Sequence, residues 1–265
     1  MGTPEKRAKI RPAPFAYGKL CYIYIFVDFQ GDSESRWNTQ DRNIVLNNAY
    51  DGTQVIKNRA PAAANVINDG GYFTVTVSGS NPGDCEGTWS SSGWMEEAAL
   101  NLGYSPTGNE RSTEVLARAM KSAYNADSVI LMFFVHEVDR SYAVGTDQGY
   151  ADKCVVYFWR SQNWIIMNVA EANVYAHEAL HLYGALDEYP EANTYMWYSD
   201  LAVSPMHGWY QNTNHHNNPA HQHSLMCAEG LYGVSNPVVS QSTKNFIGWG
   251  DYHNDGILDL LRTSW

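Results

Sequence analysis

No stretch of this sequence stays apolar for the ~20 residues that a membrane-spanning helix needs, so no membrane span is expected. The N-terminal run MGTPEKRAKIRPAPF is charged, contains proline and has no apolar core of the signal-peptide kind. An exported form is therefore expected to have had its signal removed. Positive charge is scarce: 17 Lys and Arg stand against 28 Asp and Glu, and a net charge of −11 repels nucleic acid and anionic membranes. Charged residues make up only 17 % of the chain, while Asn, Ser, Gly, Tyr and Trp are plentiful, a mixture that suits a loop-rich extracellular surface. Cysteine is limited to Cys21, Cys85, Cys154 and Cys227, with no CxxC pair and no metal-finger spacing. Cys21 and Cys154 fall in strand-like segments and suit buried thiols or bridge partners equally, whereas Cys85 falls in a Gly-rich loop. Internal repeats are also lacking. What remains is a chain of 265 residues, 44 % hydrophobic, which can build one folded unit with a sizeable core or two lobes around a cleft.

Along the chain, 19–29 (KLCYIYIFVDF) is dense in β-branched and aromatic residues and reads as a buried strand. Asn38 or Thr39 can cap a helix whose apolar positions Ile44, Val45, Ala49, Val55 and Ile56 run toward Pro61, with a possible interruption at Gly52. Residues 72–78 alternate as a strand, and 79–93 form a long Gly/Ser/Pro loop. Helices are expected at 94–103 and 111–125. The continuous apolar run 128–137 suits a strand buried on both faces, and further strands are expected at 141–145, 153–159 and 164–168. From Ala170 to Leu182 the pattern is helical, with Gly184 as the stop. Beyond it, 187–250 shows little periodicity. The expected division is a flexible tail at 1–14, an α/β lobe at 15–186 ending in this helix, and an irregular lobe at 187–265, for which a bound ion is one means of support.

The most informative stretch is His177-Glu178-Ala179-Leu180-His181-Leu182-Tyr183-Gly184-Ala185-Leu186-Asp187-Glu188-Tyr189. Residues four apart on a helix lie one turn above each other, so His177 and His181 can offer imidazole nitrogens to one ion. Glu178 starts beside that face and can take a proton from a water held there. A catalytic zinc keeps three protein ligands and one open position. Gly184 permits a sharp bend after which Asp187 can supply the third ligand; Glu188, one residue on, competes for that role but suits a supporting or ion-pairing one better.

This string resembles the metzincin pattern HExxHxxGxxH of zinc metallopeptidases, with Asp in the last place as in the snapalysin group. The continuation Asp-Glu-Tyr is similar to bacterial metallopeptidases related to IgA peptidases. The resemblance implies an α+β fold with an upper mixed β-sheet, an active-site helix and a smaller C-terminal lobe. It also implies a methionine turn under the metal, for which Met226 in Ser224-Leu225-Met226-Cys227 is the fitting residue. Some members carry a metal-facing Tyr two residues after that Met; here Ala228 stands there and the next Tyr is Tyr232. The implied activity is hydrolysis of a protein or peptide substrate by a secreted, monomeric, Zn2+-dependent enzyme with Glu178 as general base.

Other motifs bear on metal as well. Asp251, Asp255, Ile257 (through its carbonyl) and Asp259 around Gly256 resemble the Ca2+ loops of EF-hand and dockerin repeats, although His253 and Arg262 replace usual ligands; a capped turn is the alternative. The His-rich 207–223, with His207, His215, His216, His221 and His223, fits a solvated loop better than a second site, and His136 a structural role. A non-catalytic binding or adhesion module and a zinc hydrolase acting on a non-peptide amide stand as alternative functions.

Overall fold

In the computed structural model, residues 15–33, 36–78, 93–136, 142–144, 152–158, 171–183, 185, 187–188, 195–198, 208–211, 223–227, 237–251, 254–258 and 261 are described, some of the strand residues through their backbone alone. In chain order the elements are β1 (Lys19–Phe29), α1 (Thr39–Arg59), a 3-10 turn (Ala62–Ala64), β2 (Ile67–Val77), α2 (Gly93–Asn101), α3 (Ser112–Tyr124), β3 (Ser128–His136), β4 (Tyr142–Val144), β5 (Asp152–Phe158), α4 (Glu171–Leu182), β6 (Tyr195–Tyr198), β7 (Gly208–Gln211) and α5 (Gln241–Phe246).

Five strands form one mixed sheet in the order β2-β1-β3-β5-β4. β1 pairs in parallel with β2 and β3, and β3 with β5, while β4 runs antiparallel to β5 at one edge. The fold is thus α+β with a mixed sheet. Of the strands expected at 141–145 and 153–159, the first is an edge of the sheet and the second lies inside it.

The central strands are apolar throughout because both faces are covered. Leu20, Tyr22 and Phe26 of β1 and Ile130, Met132 and Phe134 of β3 point to one face, where they meet Val45, Ala49 and Ile56 of α1 and Tyr175, Ala176, Ala179 and Leu180 of α4. The alternate residues Cys21, Ile23, Ile25, Val27, Leu131 and Phe133 point to the other face and meet Trp94, Met95 and Ala98 of α2 and Leu116, Ala117 and Met120 of α3. A period of two along each strand sorts the side chains between two cores. Cys21 is a buried thiol, and burial pushes its pKa up to about 12, with the Asp69 carboxylate adding to the effect, so it stays neutral and unreactive.

Asn38 caps α1, its Oδ1 accepting the Asp41 N–H at 2.9 Å, and the helix runs through Gly52 without interruption. Gly52 is required there by close packing against α4, not by a bend. A Cβ at this position would lie 2.5 Å from the Ala172 carbonyl oxygen and 2.9 Å from Tyr175 Cβ. In an open helix Gly→Ala stabilises by about 1 kcal/mol. Here the contact is with backbone, and overpacking of that kind costs about 1–3 kcal/mol. Gly52→Ala is therefore expected to lower the denaturant midpoint, and a raised midpoint would show that α1 and α4 are not packed this closely.

β2 starts earlier than the alternation at 72–78 indicates, because pairing with β1 extends from Lys19↔Ile67 to Phe29↔Val77 and carries Asp69-Gly70-Gly71 into the ladder. Gly70 has φ +150 and lies directly against the Tyr22 carbonyl, where no side chain fits. The turn-like glycines are a close-approach site. The expected strand at 164–168 lies outside the described residues.

The C-terminal third has more structure than its lack of periodicity indicates, including a β6/β7 ladder and α5. Phe246, Ile247, Trp249 and Leu258 bury themselves in the core shared by α1 and α4. The start of the described chain is tied to them: Ala16 N–H donates to the Ile247 carbonyl at 3.1 Å, and Trp249 Nε1 donates to the Ala16 carbonyl. Side-chain packing thus anchors this segment. Among the described residues, no helix is long and apolar enough to cross a membrane.

Candidate metal centre

α4 brings two imidazoles to one spot through helical pitch alone. His177 and His181 are one turn apart, with ring centroids 4.5 Å apart and ring planes at 87°. Their Nε2 atoms are 3.0 Å from each other, and each lies 3.2 Å from Asp187 Oδ1. The three atoms make a nearly equilateral triangle. A tetrahedral ion with bonds of 2.0–2.1 Å has donor–donor edges of about 3.3 Å, so this triangle is close to one face of such a coordination shell.

The tautomers are fixed by backbone acceptors. His177 Nδ1 donates to the Leu225 carbonyl at 3.0 Å, and His181 Nδ1 donates to the Ala185 carbonyl at 2.9 Å. A carbonyl oxygen can only accept, so each Nδ1 carries the hydrogen and each neutral ring presents a lone pair on Nε2. Two lone pairs and a carboxylate oxygen then face one another at contact distance. Such a cluster needs positive charge at its centre. Burial works against a protonated His181, but the hydrogen bond that its ring would then donate to the Asp187 carboxylate, the Glu178 and Asp187 charges and the Ala185 carbonyl outweigh it and raise its pKa to about 9. Among the described residues, His177, His181 and Asp187 are the one group of His, Cys, Asp and Glu side chains placed to hold a metal ion.

No protein-family model and no curated protein matches the chain.

The reading of the centre therefore depends on its own geometry. His177 is buried, whereas the side chains of His181 and Asp187 are 20 % and 33 % exposed, so the cluster opens to solvent on one side. Glu178, next to His177, is buried at 5 % exposure and its Oε2 has no hydrogen-bond partner among the described residues. Desolvation raises its pKa against the lowering pull of His177 and His181. Among the described residues, Glu178 is thus a buried carboxyl group close to the charges of His177, His181 and Asp187.

The turn at residues 223–227 is hydrogen-bonded to two parts of the centre. Its adjacent carbonyls do two jobs: Leu225 accepts from His177 Nδ1, and Met226 accepts the Glu188 N–H at 2.8 Å. Met226 itself is fully buried in the core cluster that contains Ala176, Ala179 and Leu180 of α4. Ser224, Leu225 and Val238 join this turn to the C-terminal segment through a bridge, with Leu225 N–H donating to the Val238 carbonyl at 2.8 Å.

Glu188 is outside the triangle. Its Oε1 accepts from Ser240 Oγ and from Thr243 Oγ1, the latter at 2.8 Å. Its partners among the described residues include these hydroxyls of α5 and its cap. The role of Ser240 and Thr243 is not evident from their positions in the sequence; the one local sign is a serine ahead of a short polar run, the usual start of a capped helix.

The other expected sites stand as follows. Asp251 accepts from the Gly256 N–H at 2.7 Å and the Asp255 N–H at 3.2 Å, Asp255 accepts from the Ile257 N–H at 3.0 Å, and Asn254 and Gly256 have positive φ. Asp259 lies outside the described residues, as do Gly184, Ala228, Tyr232, His207, His215, His216, His221 and the His136 side chain. His223 is exposed, and the chain there contributes its carbonyl to Val238.

Proposed function

We propose that this protein is a secreted zinc-dependent endopeptidase of the metzincin type, with His177, His181 and Asp187 as ligands and Glu178 as general base. The observation that carries the reading is the convergence of three metal-competent acceptor atoms within 3.2 Å of one another, next to a buried carboxylate. When bound, zinc supplies Lewis acidity toward a carbonyl and makes a water acidic enough to lose its proton near neutral pH.

The chain's own residues do the rest. His177 and His181 keep their lone pairs aimed at one point because Leu225 and Ala185 hold the opposite edge of each ring. The exposed side of His181 and Asp187 leaves a route for substrate and solvent. Glu178 takes the proton of the attacking water and gives it up to the leaving amine; a carboxylate withdrawn from bulk water retains a proton more readily than an exposed one, which suits both halves of that transfer. β4 is an antiparallel edge of the sheet, the kind of strand to which an extended peptide can add. A mixed sheet above a helix that bears the motif also agrees with the fold that the resemblance implies.

A binding module needs no general base, so the buried Glu178 favours an enzyme over an adhesion domain. Digestion of casein, followed with and without chelator, tests the reading: proteolysis that stops on chelation and returns with zinc is expected. A zinc-loaded protein that leaves casein and gelatin intact would overturn it in favour of a non-peptide substrate.

A further inference from the structure

His177 and His181 are placed by the pitch of α4, but Asp187 lies five residues beyond the end of that helix. Its side chain is one-third exposed. The next residue is held from several sides. Glu188 is 2 % exposed; its N–H donates to the Met226 carbonyl, and its Oε1 receives hydroxyl hydrogens from both Ser240 and Thr243. Ser240 also caps α5, with its Oγ accepting the Thr243 N–H at 3.0 Å. Glu188 therefore joins the chain beside the third ligand to the 223–227 turn and to α5, and the same turn holds His177 through Leu225.

A buried carboxylate is costly unless it is hydrogen-bonded, so a Glu at this position is explained by the geometry it imposes more readily than by packing. We infer that Glu188 is a positioning residue: its latch to Ser240 and Thr243 fixes Asp187 relative to the two imidazoles and so sets how tightly the centre holds a divalent cation. The inference rests on the metal-centre reading above but not on the reaction performed there. It makes α5, although remote in sequence, part of the apparatus that tunes the ion.

Zinc affinity of the full chain, measured by competition with a chromophoric chelator, tests this directly. Removal of groups that orient ligands weakens metal binding by about 10- to 100-fold. Thr243→Val removes one hydroxyl with little change in volume and is expected to raise the zinc dissociation constant about tenfold; Glu188→Ala, which frees the latch, about a hundredfold. Thr243→Ser restores the hydroxyl and is expected to restore affinity. Leu116→Ala, in the core on the opposite face of the sheet, serves as a control for lost stability alone and is expected to leave affinity unchanged. The d–d absorption of the cobalt-substituted protein should shift in Thr243→Val and not in Leu116→Ala.

Wild-type affinity in folded Thr243→Val and Glu188→Ala would overturn the inference, as would an equal loss in Leu116→Ala. If Glu188→Ala does not fold, Thr243→Val and its serine counterpart decide the matter. Failure of the peptidase reading would be seen separately, as zinc-loaded protein without proteolysis.

Discussion

Glu178→Gln should retain one zinc per chain yet lose peptide hydrolysis by about 10²–10⁴-fold, the usual contribution of a positioned general base. The amide is nearly isosteric with the carboxylate, so packing around this 5 %-exposed side chain should survive. The ligand atoms are on other residues, and their second nitrogens are held by the Leu225 and Ala185 carbonyls, neither of which involves Glu178. Metal content should therefore be unaffected, which elemental analysis can establish alongside turnover of a quenched fluorescent peptide. The neutral variant also removes a buried group whose pKa desolvation has raised, so its folded state should be no less stable than wild type. Full turnover in a zinc-loaded Glu178→Gln protein would remove this residue from the chemistry and leave the ligand triangle in need of another function.

The parts of this arrangement that were legible in the sequence are those governed by local periodicity. His177 and His181 meet because four residues make a helical turn, and β1 and β3 are recognisable because strands covered on both faces are apolar at every position. The helix expected at 111–125 is present from Ser112 to Tyr124, and its buried apolar residues are Leu116, Ala117 and Met120. Contacts that join distant segments were not legible. The choice between Asp187 and Glu188 depends on Ser240 and Thr243, more than fifty residues away, and no spacing rule relates them. Gly52 resembled a helix break because glycine has poor helix propensity, yet its lack of a side chain is what lets α4 approach. The glycines at 70 and 71 misled for the same reason: a parallel partner held them in a strand that local propensity would have ended. Even the order of strands, with β4 at the edge and β5 inside, is a property of pairing that the short runs at 141–145 and 153–159 do not encode separately.

Loss of a ligand should separate the ion from the scaffold, and the two histidines should not be equivalent. Wild-type protein at a free zinc concentration 100 times its dissociation constant should gain about 2.7 kcal/mol of stability over the chelated form, or about 5–10 °C in melting temperature for a chain of this size. In His181→Ala the zinc-dependent gain should disappear, since a helix His and one carboxylate cannot complete a three-ligand site. The metal-free variant should lose only about 1 kcal/mol, because the 20 %-exposed ring leaves the Ala185 carbonyl near water that can replace its hydrogen bond. His177→Ala should also lose the zinc-dependent gain, but at greater cost to the metal-free fold. That ring is buried, and its removal both opens a cavity and strips the Leu225 carbonyl of its donor inside the core, a combined loss of about 3–5 kcal/mol. The turn at 223–227 depends on that bond, so melting of the metal-free His177→Ala protein should begin in the C-terminal segment. Thermal melts of the three proteins, each with chelator and with zinc, would read both effects. Equal destabilisation by the two substitutions would mean that His177 does not hold the turn as the geometry requires, and a surviving zinc response in either would mean that the ion is bound elsewhere.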